Sequence, residues 1–513
     1  MNLLQSVDPP FMKNRQGGIL LHPTCLPNIH GIGDLGSEFY HFIDFLHSSQ
    51  QQLLQILPLG PTGYGNSPYQ SFSAFAGNPI LINPEKLLDM GILTSDEINP
   101  PKFPSSKVDY EHVISYKWEL LLLAFTNYSK KENSALQVQF KSFSKENHYW
   151  LEDFALFMSI KETNDLEAWD TWEEPLKTRK TSAISSWKRN YKENIEFHKF
   201  TQYLFFHQWN EVKKYAQNKK ISIIGDIPIF VAYDSADVWA NSHLYYLDEY
   251  GDLEYVAGVP PDYFSETGQR WGNPIYRWNR MKQNGYKWWI QRIKHNLSQV
   301  DILRIDHFRG FEAYWQIPAN EPTAINGKWV PGPGIDLFIA LKKACRSLPI
   351  IAENLGVITP AVEELLQQTG FPGMRVLQFA FGVENEDEEL IENDYLPHNY
   401  IPNTVVYTGT HDNDTTLGWI KKAPKDVQNE VLNYINSSGE DIVGDLIRLA
   451  WSSVAKISVI PLQDLLRLGS EGRMNYPGTE SGNWEWRFVW EQLSKERSEE
   501  IANLSKIYER LSI

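Results

Sequence analysis

Cysteine is nearly absent from this sequence of 513 residues, which contains only Cys25 and Cys345. Two cysteines cannot form a disulfide framework or a cysteine-rich zinc site, and such usage is typical of a reducing compartment. No apolar run approaches the roughly 18 residues of a membrane-spanning helix. The first eleven residues contain Asp8 and two prolines where a signal peptide would have its apolar stretch. We therefore expect a cytoplasmic protein.

Positive charge is also scarce, because 48 Lys and Arg residues stand against 64 Asp and Glu residues, giving a formal net charge of −16 at pH 7. Nucleic acids and anionic membranes bind basic surfaces, so the charge predicts neither of them as a partner. Aromatic residues are plentiful, with 18 Trp and 25 Tyr, and their rings either pack in cores or stack on sugars. Nothing in the composition implies an obligate protein partner.

Short apolar runs recur along the chain, with helical patterns between them. Eight of these runs are candidate strands, at residues 17–22, 54–59, 221–227, 302–305, 350–353, 374–379, 405–410 and 456–461. Eight strands that alternate with helices predict an α/β protein of the (β/α)8 TIM barrel class. The gap between the second and third strands far exceeds the roughly 30 residues of one βα unit. We therefore predict a barrel from residues 1–84 and 221–513, a mainly helical subdomain inserted at 85–220, and a lid or loop insertion at 231–284.

Residues 301–309 are the most informative stretch, because an apolar strand ends there in Asp306 and His307. Two other predicted strands lead in the same way to Glu353 and Asp412. In a parallel α/β barrel the carboxyl ends of the strands carry the chemistry, so these three carboxylates are expected on one face. Cleavage of a glycosidic bond with retention needs a carboxylate nucleophile and a carboxylic acid about 5–5.5 Å apart.

The surroundings of the three carboxylates favour different roles. Arg304 lies two residues before Asp306 on the same strand face, so we expect a low pKa and a nucleophile at Asp306. Apolar neighbours and two nearby anions raise the expected pKa of Glu353, which suits a general acid. Asp412 would then hold sugar hydroxyls and favour the oxocarbenium-like state, with neighbouring histidines as further donors.

These motifs resemble those of the 4-α-glucanotransferases called amylomaltase or disproportionating enzyme, which are relatives of the α-amylases. The resemblance covers residues 17–490 and is carried by segments 57–69, 225–230, 258–274, 303–307, 352–356, 409–415 and 473–478. It implies transfer of an α-1,4-glucan segment, with retention, to the 4-hydroxyl of glucose or another glucan. The implied donors are maltooligosaccharides and glucans of the starch or glycogen type. It implies no cofactor and no metal.

The resemblance also assigns roles by position. It implies Asp306 as nucleophile, Glu353 as general acid/base and Asp412 as stabiliser of the transition state. The implied sugar contacts are Tyr69, Asp226, Asp262, Gln269, Trp271, Arg304, His307, His411 and Asn475. Residues 258–271 match a lid over the cleft, and Tyr64 resembles an aromatic of a secondary glucan site outside it. In segment 246–250, the two acidic residues at 248 and 249 are expected to be surface charges without a role.

Three other functions remain open from the sequence. A plain α-1,4-glucan hydrolase would use the same carboxylates, but a covered, aromatic cleft favours transfer because it can exclude water. A non-catalytic glucan-binding protein would have no need of a buried proton donor. The hypothesis of a nucleotide-dependent oxidoreductase rests on residues 31–36, which match the dinucleotide-binding pattern G-x-G-x-x-G. That segment does not directly follow its strand, and no acidic residue ends the next strand.

Overall fold

The computed structural model describes residues 10–130, 135–261, 265–356, 358–382, 393–479 and 481–511. This part of the chain contains twelve strands and eighteen α-helices. The strands are β1 (Gln16–Leu20), β2 (Leu53–Gln55), β3 (Ser222–Pro228), β4 (Tyr255–Val259), β5 (Gln269–Pro274), β6 (Ile302–Asp306), β7 (Ala313–Pro318), β8 (Lys328–Pro331), β9 (Ile350–Ala352), β10 (Gly373–Val376), β11 (Thr404–Tyr407) and β12 (Ile457–Pro461). The helices are α1 (Ser37–Ser48), α2 (Pro84–Asp89), α3 (Tyr110–Ser129), α4 (Ala135–Glu146), α5 (His148–Thr163), α6 (Glu174–Lys177), α7 (Thr181–Asn190), α8 (Lys192–Asn218), α9 (Ala236–Ala240), α10 (Trp278–Gln283), α11 (Lys287–Gln299), α12 (Ile335–Ala344), α13 (Pro360–Thr369), α14 (Thr416–Lys422), α15 (Lys425–Ile435), α16 (Ile442–Ser452), α17 (Leu462–Leu465) and α18 (Lys495–Ile507).

Eight strands close into a parallel barrel in the order β1-β12-β11-β10-β9-β6-β3-β2, which confirms the predicted TIM barrel. Each of the eight predicted runs overlaps one of these strands. Several strands are shorter than predicted, and β2 has only three residues. The run at 374–379 leaves the sheet early, because β10 passes into a 3-10 turn at Leu377–Ala380. The chain therefore turns out of the barrel sooner than the apolar pattern indicates.

The two faces of β6 pack against different parts of the molecule. Ile302 belongs to the cluster that fills the barrel interior, whereas Leu303 and Ile305 pack outward in the larger core with the helices. Burial of each such aliphatic side chain stabilises the fold by about 1.5–3 kcal/mol. Side chains two residues apart share one face of a strand. Arg304 and Asp306 therefore continue the interior face of Ile302 up to the carboxyl end of the barrel.

The segment between β2 and β3 is mainly helical, and its longest helix, α8, packs against α5, α4, α3, α1 and β3. Aromatic side chains contribute to this contact. Phe200 stacks on Tyr128 with 4.4 Å between ring centroids, and Trp209 is fully buried and donates its indole N–H to the carbonyl of Gln299. Among the described helices, none is both long and apolar enough to cross a membrane.

A second sheet is antiparallel, with four strands in the order β5-β4-β7-β8. Strands β4 and β5 come from the region predicted as a loop insertion, whereas β7 and β8 follow β6. No local sequence pattern predicted this sheet, because β4 pairs with β7, and barrel strand β6 lies between these two strands in the sequence. Its strand β5 carries Gln269 and Trp271, two of the predicted sugar contacts.

Candidate active site

A buried guanidinium lies between two carboxylates at the carboxyl end of the barrel. Arg304 donates from Nη1 to Oδ2 of Asp226 over 2.5 Å and from Nη2 to Oδ1 of Asp306 over 2.8 Å. Asp226 lies on β3 directly opposite Arg304 in the sheet register. The side chains of Arg304 and Asp226 are buried, whereas that of Asp306 is 31% exposed. Arg304 thus fixes the orientation of a carboxylate that solvent or substrate can reach.

The pKa of Asp306 is raised above that of an ordinary aspartate, so the expectation of a low pKa was wrong. Burial is the largest cause, and the negative charges of Asp226 and Asp412 also raise the pKa. Arg304 lowers it, as expected, but that guanidinium also contacts Asp226. The ion pair therefore orients Asp306 and offsets only part of the effect of burial.

Tyr69 connects these strands to the loop that follows β11. Its hydroxyl donates to Oδ2 of Asp226 and lies 2.8 Å from Nε2 of His411, and the two rings stack with 5.2 Å between centroids. His411 Nε2 is also 3.2 Å from Oδ2 of Asp412. Because the Tyr69 hydroxyl donates to Asp226, Nε2 of His411 is the donor in its own contacts. Burial lowers the pKa of His411, but the charge and hydrogen bond of Asp412 and the charge of Asp226 together outweigh it, and the net shift of the pKa is upward.

Asp412 is held from the opposite side by the loop after β12. Asn475 donates from Nδ2 to Oδ1 of Asp412 over 2.7 Å, and Arg473 donates from Nη2 to the Asp412 carbonyl over 2.8 Å. Burial raises the pKa of Asp412, but the charge and hydrogen bond of His411 and the hydrogen bond of Asn475 lower it well below the usual range. The side chain is 47% exposed, so a stably ionised carboxylate faces outward here.

Glu353 follows β9 and is 9% exposed. Its oxygens accept two backbone hydrogen bonds, from His307 N over 2.6 Å and from Leu355 N over 2.7 Å. Burial raises the pKa of Glu353 to about 7, the charge of Asp306 acts in the same direction, and Arg304 and the two backbone donors oppose them. A carboxyl group with a pKa near neutrality can give up a proton and take one back.

His307 contacts the second sheet through strand β5. The ring of Trp271 meets His307 edge-on with 4.8 Å between centroids, and the Trp271 indole donates to Oε1 of Gln269 over 3.0 Å. Burial lowers the pKa of His307 to about 3, so its ring is neutral. Its Nε2 is buried and has no hydrogen-bond partner among the described residues.

The structure brings most of the predicted residues into one connected site. One chain of contacts runs through Asn475, Asp412, His411, Tyr69, Asp226, Arg304 and Asp306. A second group adjoins it through the electrostatic contact of Glu353 with Asp306 and consists of Glu353, His307, Trp271 and Gln269. The prediction for Asp262 falls outside the described residues. The prediction for Tyr64 concerns its side chain, which also lies outside what the structure describes.

Two residues of this site were not predicted. His22 follows β1, is buried, and has its pKa lowered to about 3 by burial and, secondarily, by the charge of His411. The signal for it was present, because a polar residue directly after an apolar run is the pattern that identified Asp306. Arg473 lies in a segment that resembles the family, but nothing in the sequence indicates that its side chain reaches the Asp412 backbone.

Comparison with known proteins assigns the family. The sequence model of 4-alpha-glucanotransferases matches residues 21–492. The chain belongs to the 4-alpha-glucanotransferase family. A 4-alpha-glucanotransferase from Synechocystis sp. is 49% identical over 505 residues, which are 98% of this chain and 99% of that protein. One from Thermus thermophilus is 47% identical over 505 residues, which are 97% of this chain and 99% of that protein.

Solved structures agree with this 4-alpha-glucanotransferase assignment. The amylomaltase from Streptococcus agalactiae in complex with acarbose is 40% identical and superposes with a TM-score of 0.93 over 97% of this chain and all of that one. The amylomaltase from Corynebacterium glutamicum, at 19% identity, shares the fold, with a TM-score of 0.76 over 96% of this chain and 76% of that one. The family confirms the resemblance seen in the sequence and disfavours the hydrolase, binding-protein and oxidoreductase alternatives.

Proposed function

We propose that this member of the 4-alpha-glucanotransferase family works by double displacement, with Asp306 as nucleophile, Glu353 as general acid/base and Asp412 as transition-state stabiliser. The donor is a maltooligosaccharide or a starch- or glycogen-type glucan, and the acceptor is the 4-hydroxyl of glucose or another glucan. The observation that carries the proposal is the contrast between two neighbouring carboxyl groups. Glu353 is buried with a pKa near 7, whereas Asp306 is partly exposed and ion-paired with Arg304.

In the first step Asp306 attacks the anomeric carbon of the donor. The carbon–oxygen bond to the leaving glucan breaks, an ester bond to Asp306 forms, and Glu353 gives its proton to the departing 4-oxygen. Arg304 holds Oδ1 of Asp306, which leaves Oδ2 as the attacking oxygen. The leaving glucan departs with a free 4-hydroxyl.

In the second step Glu353 acts as a base. It takes the proton of the acceptor 4-hydroxyl, whose oxygen attacks the anomeric carbon and releases Asp306, so the α configuration is restored. The backbone N–H groups of His307 and Leu355 stabilise the ionised form of Glu353 between the steps. Hydrolysis would differ only in the attacking hydroxyl. The contact of Trp271 with His307 favours a sugar acceptor, because it brings an aromatic lid strand against the site and helps to exclude water.

Asp412 supplies negative charge where positive charge develops on the sugar ring. Its low pKa keeps it ionised in both steps, and His411 and Asn475 fix its two oxygens. A preorganised ionised group of this kind stabilises a developing charge without reorganisation during the reaction. We propose that Asp412 also holds sugar hydroxyls, as do the donors His411 and Arg304.

The test of this function is incubation with maltotriose and separation of the products by length. We expect glucose together with a ladder of longer maltooligosaccharides, because each transferred segment lengthens an acceptor. A hydrolase would give only shorter sugars, and a binding protein would leave maltotriose unchanged. The Asp306→Asn variant is the control, since its carboxamide cannot form the glycosyl ester and the ladder should disappear.

Three further assignments complete the proposal. The division into a barrel of residues 1–84 and 221–513, a helical insertion at 85–220 and a lid at 231–284 is supported by the helices between β2 and β3. A cytoplasmic location is supported by the low cysteine content. Glucan donors and acceptors are the proposed partners, and the excess of acidic residues supports the absence of nucleic acid from that set.

A further inference from the structure

A second cleft lies between the helical segment before β3 and the turn that joins Leu247 to Leu253. It has a volume of about 470 Å³, and it is lined by residues of both regions, including Trp169 and Lys177 on one side and Tyr250 on the other. None of the residues assigned above to the catalytic site lines it. Asp248 and Glu249, which were expected to be surface charges without a role, lie here.

The turn that forms one wall of this cleft is held in a fixed shape. Asp248 accepts a hydrogen bond from the backbone N–H of Tyr250 over 2.8 Å, and the Tyr233 hydroxyl donates to the carbonyl of Gly251 over 2.7 Å. Gly251 has a φ of 87°, and a Cβ at this position would lie 2.9 Å from the ring of Trp169. The turn therefore requires glycine here, because the backbone is left-handed and packs closely on the indole.

Tyr250 is presented to solvent by this turn. It is 64% exposed, whereas Tyr245 and Tyr276, which pair in the same region, are fully buried. An aromatic ring combines an apolar face with a polar hydroxyl, and such faces stack on sugar rings. The position of Tyr250 beside a cleft on a fixed turn fits a stacking platform better than a core residue.

The charges around the cleft identify the class of ligand. Three cationic side chains and three carboxylates line it: Lys177, Arg277, Arg280, Asp248, Glu249 and Glu254. A balanced set of donors and acceptors does not select a phosphorylated or polycationic ligand, each of which binds a surface of opposite charge. It does suit a neutral molecule with many hydroxyl groups.

We infer that this cleft binds a stretch of α-1,4-glucan, with Tyr250 stacked on one glucose ring, as a site separate from the catalytic carboxylates. The inference rests on the proposed function for the identity of the glucan. A long glucan can occupy this cleft as well as the catalytic site. A short donor such as maltotriose is expected to react through the catalytic site alone.

The inference is tested with variants at Tyr250 and a control of equal exposure. Electrophoresis in native gels that contain linear amylose measures glucan binding, and maltotriose disproportionation measures the catalytic site. We expect Tyr250→Ala to weaken the binding of amylose roughly tenfold, as removal of an aromatic anchor does at other interfaces. Tyr250→Phe should keep the binding. Ile401→Ala should change nothing, since Ile401 is 62% exposed and precedes β11 at the opposite end of the barrel.

Maltotriose turnover separates this inference from the proposed function. In Tyr250→Ala both kcat and KM for maltotriose should stay within about twofold of the parent values, while amylose binding falls. Tyr250→Gln is a second non-aromatic variant and should behave like Tyr250→Ala. Unchanged migration of both variants in amylose gels would overturn the inference. So would a matching loss of maltotriose turnover in a folded variant, because Tyr250 would then belong to the catalytic site. Failure of the unmodified protein to extend maltotriose would count against the proposed function alone.

Discussion

Tyr69 joins the two sides of the proposed catalytic site through its hydroxyl group. It contacts Asp226 on β3 and His411 after β11, and these two residues in turn contact Arg304 and Asp412. The charged groups that orient Asp306 and Asp412 therefore depend on one another.

Tyr69→Phe is expected to lower kcat/KM on maltotriose by about 10- to 100-fold. The variant keeps the ring but removes one hydrogen bond from each of Asp226 and His411. Their remaining contacts with Arg304 and Asp412 persist, so the expected loss is that of hydrogen bonds to charged groups, about 1.5–3 kcal/mol. Tyr276→Phe is a matched control, because its buried hydroxyl donates to the carbonyl of Ile229 away from the carboxylates. Equal activity of the two variants would show that the Tyr69 hydroxyl has no part in the site.

Glu353→Gln is expected to remove the alkaline limb of the pH–activity profile. Glu353 must be protonated in the first step, so activity should fall as the pH rises through about 7. The variant should lose activity on maltotriose by several orders of magnitude but should still react with glucosyl fluoride, whose leaving group needs no proton. Azide should restore the turnover of glucosyl fluoride by this variant, because azide attacks the glycosyl ester without a base. Near-full transfer with an unchanged alkaline limb would assign the proton donor to another residue.

The same variant has a stability signature that does not depend on activity. The folded protein holds the Glu353 proton more tightly than the unfolded chain does, so its stability decreases as the pH rises from about 4.5 through about 7. Relative to the parent protein, Glu353→Gln should therefore gain stability over this range, by up to roughly 3 kcal/mol. Thermal unfolding of both proteins at several pH values measures the difference, and a constant difference would contradict the raised pKa.

At the residue scale the sequence predicted that three carboxylates lie together at one end of the barrel, but it did not predict their net electrostatics. Asp306, Glu353 and Asp412 were predictable because each follows an apolar strand of a barrel. The pKa of Asp306 was not, since it depends on burial and on Asp226, which shares Arg304 with it. Asp226 lies 78 positions before Arg304, and only the closed sheet places the two side by side.

At the scale of elements, the loop that carries His411 and Asp412 is tied at both ends to one buried carboxylate. Asp464 on α17 accepts hydrogen bonds from the Thr408 hydroxyl over 2.5 Å and from the backbone and hydroxyl of Thr416 over 2.8 and 2.7 Å. The two threonines flank the loop. Asp464 therefore limits how far the loop ends can separate, and with them the position of Asp412.

Asp464→Ala is expected to lower the free energy of unfolding by about 2–4 kcal/mol, since three hydrogen bonds to a buried carboxylate are lost. We also expect kcat on maltotriose to fall at least about tenfold, with a smaller change in KM, because Asp412 would lose its fixed position in the transition state. Asp464→Asn keeps one acceptor oxygen and should be affected less. Asp426→Asn, at an exposed position on α15, is the control. Parent-like kcat in a folded Asp464→Ala protein would show that the loop holds Asp412 without this tie.

The elements of the barrel were predictable because each βα unit gives a local signal of apolar strand and amphipathic helix. The antiparallel sheet was not, since its pairing is set by contacts between β4 and β7.

The glycine pattern at residues 31–36 was equally local and also ambiguous. In the structure a Cβ at Gly33 would lie 2.0 Å from the carbonyl oxygen of Pro23, and Asp34 is buried against Lys117. These residues serve close packing.

At the scale of the whole molecule, activity is expected to persist without a metal or another cofactor. The proposed reaction obtains its nucleophile from Asp306 and its proton from Glu353, so each step is complete with the side chains of this chain. Exhaustive dialysis against EDTA should therefore leave the disproportionation of maltotriose unchanged. Activity that disappears in EDTA and returns with calcium would contradict the prediction.

The covalent glycosyl–Asp306 intermediate is the central step of the proposed reaction, and trapping it is the most direct test. A fluorinated donor that forms the ester quickly and releases it slowly should add one glycosyl unit to the protein. Peptide mass spectrometry should then locate that unit on Asp306 in the peptide that spans β6, and Asp306→Asn should remain unlabelled. A glycosyl unit on Asp412 or Glu353 instead would contradict the assignment of the nucleophile.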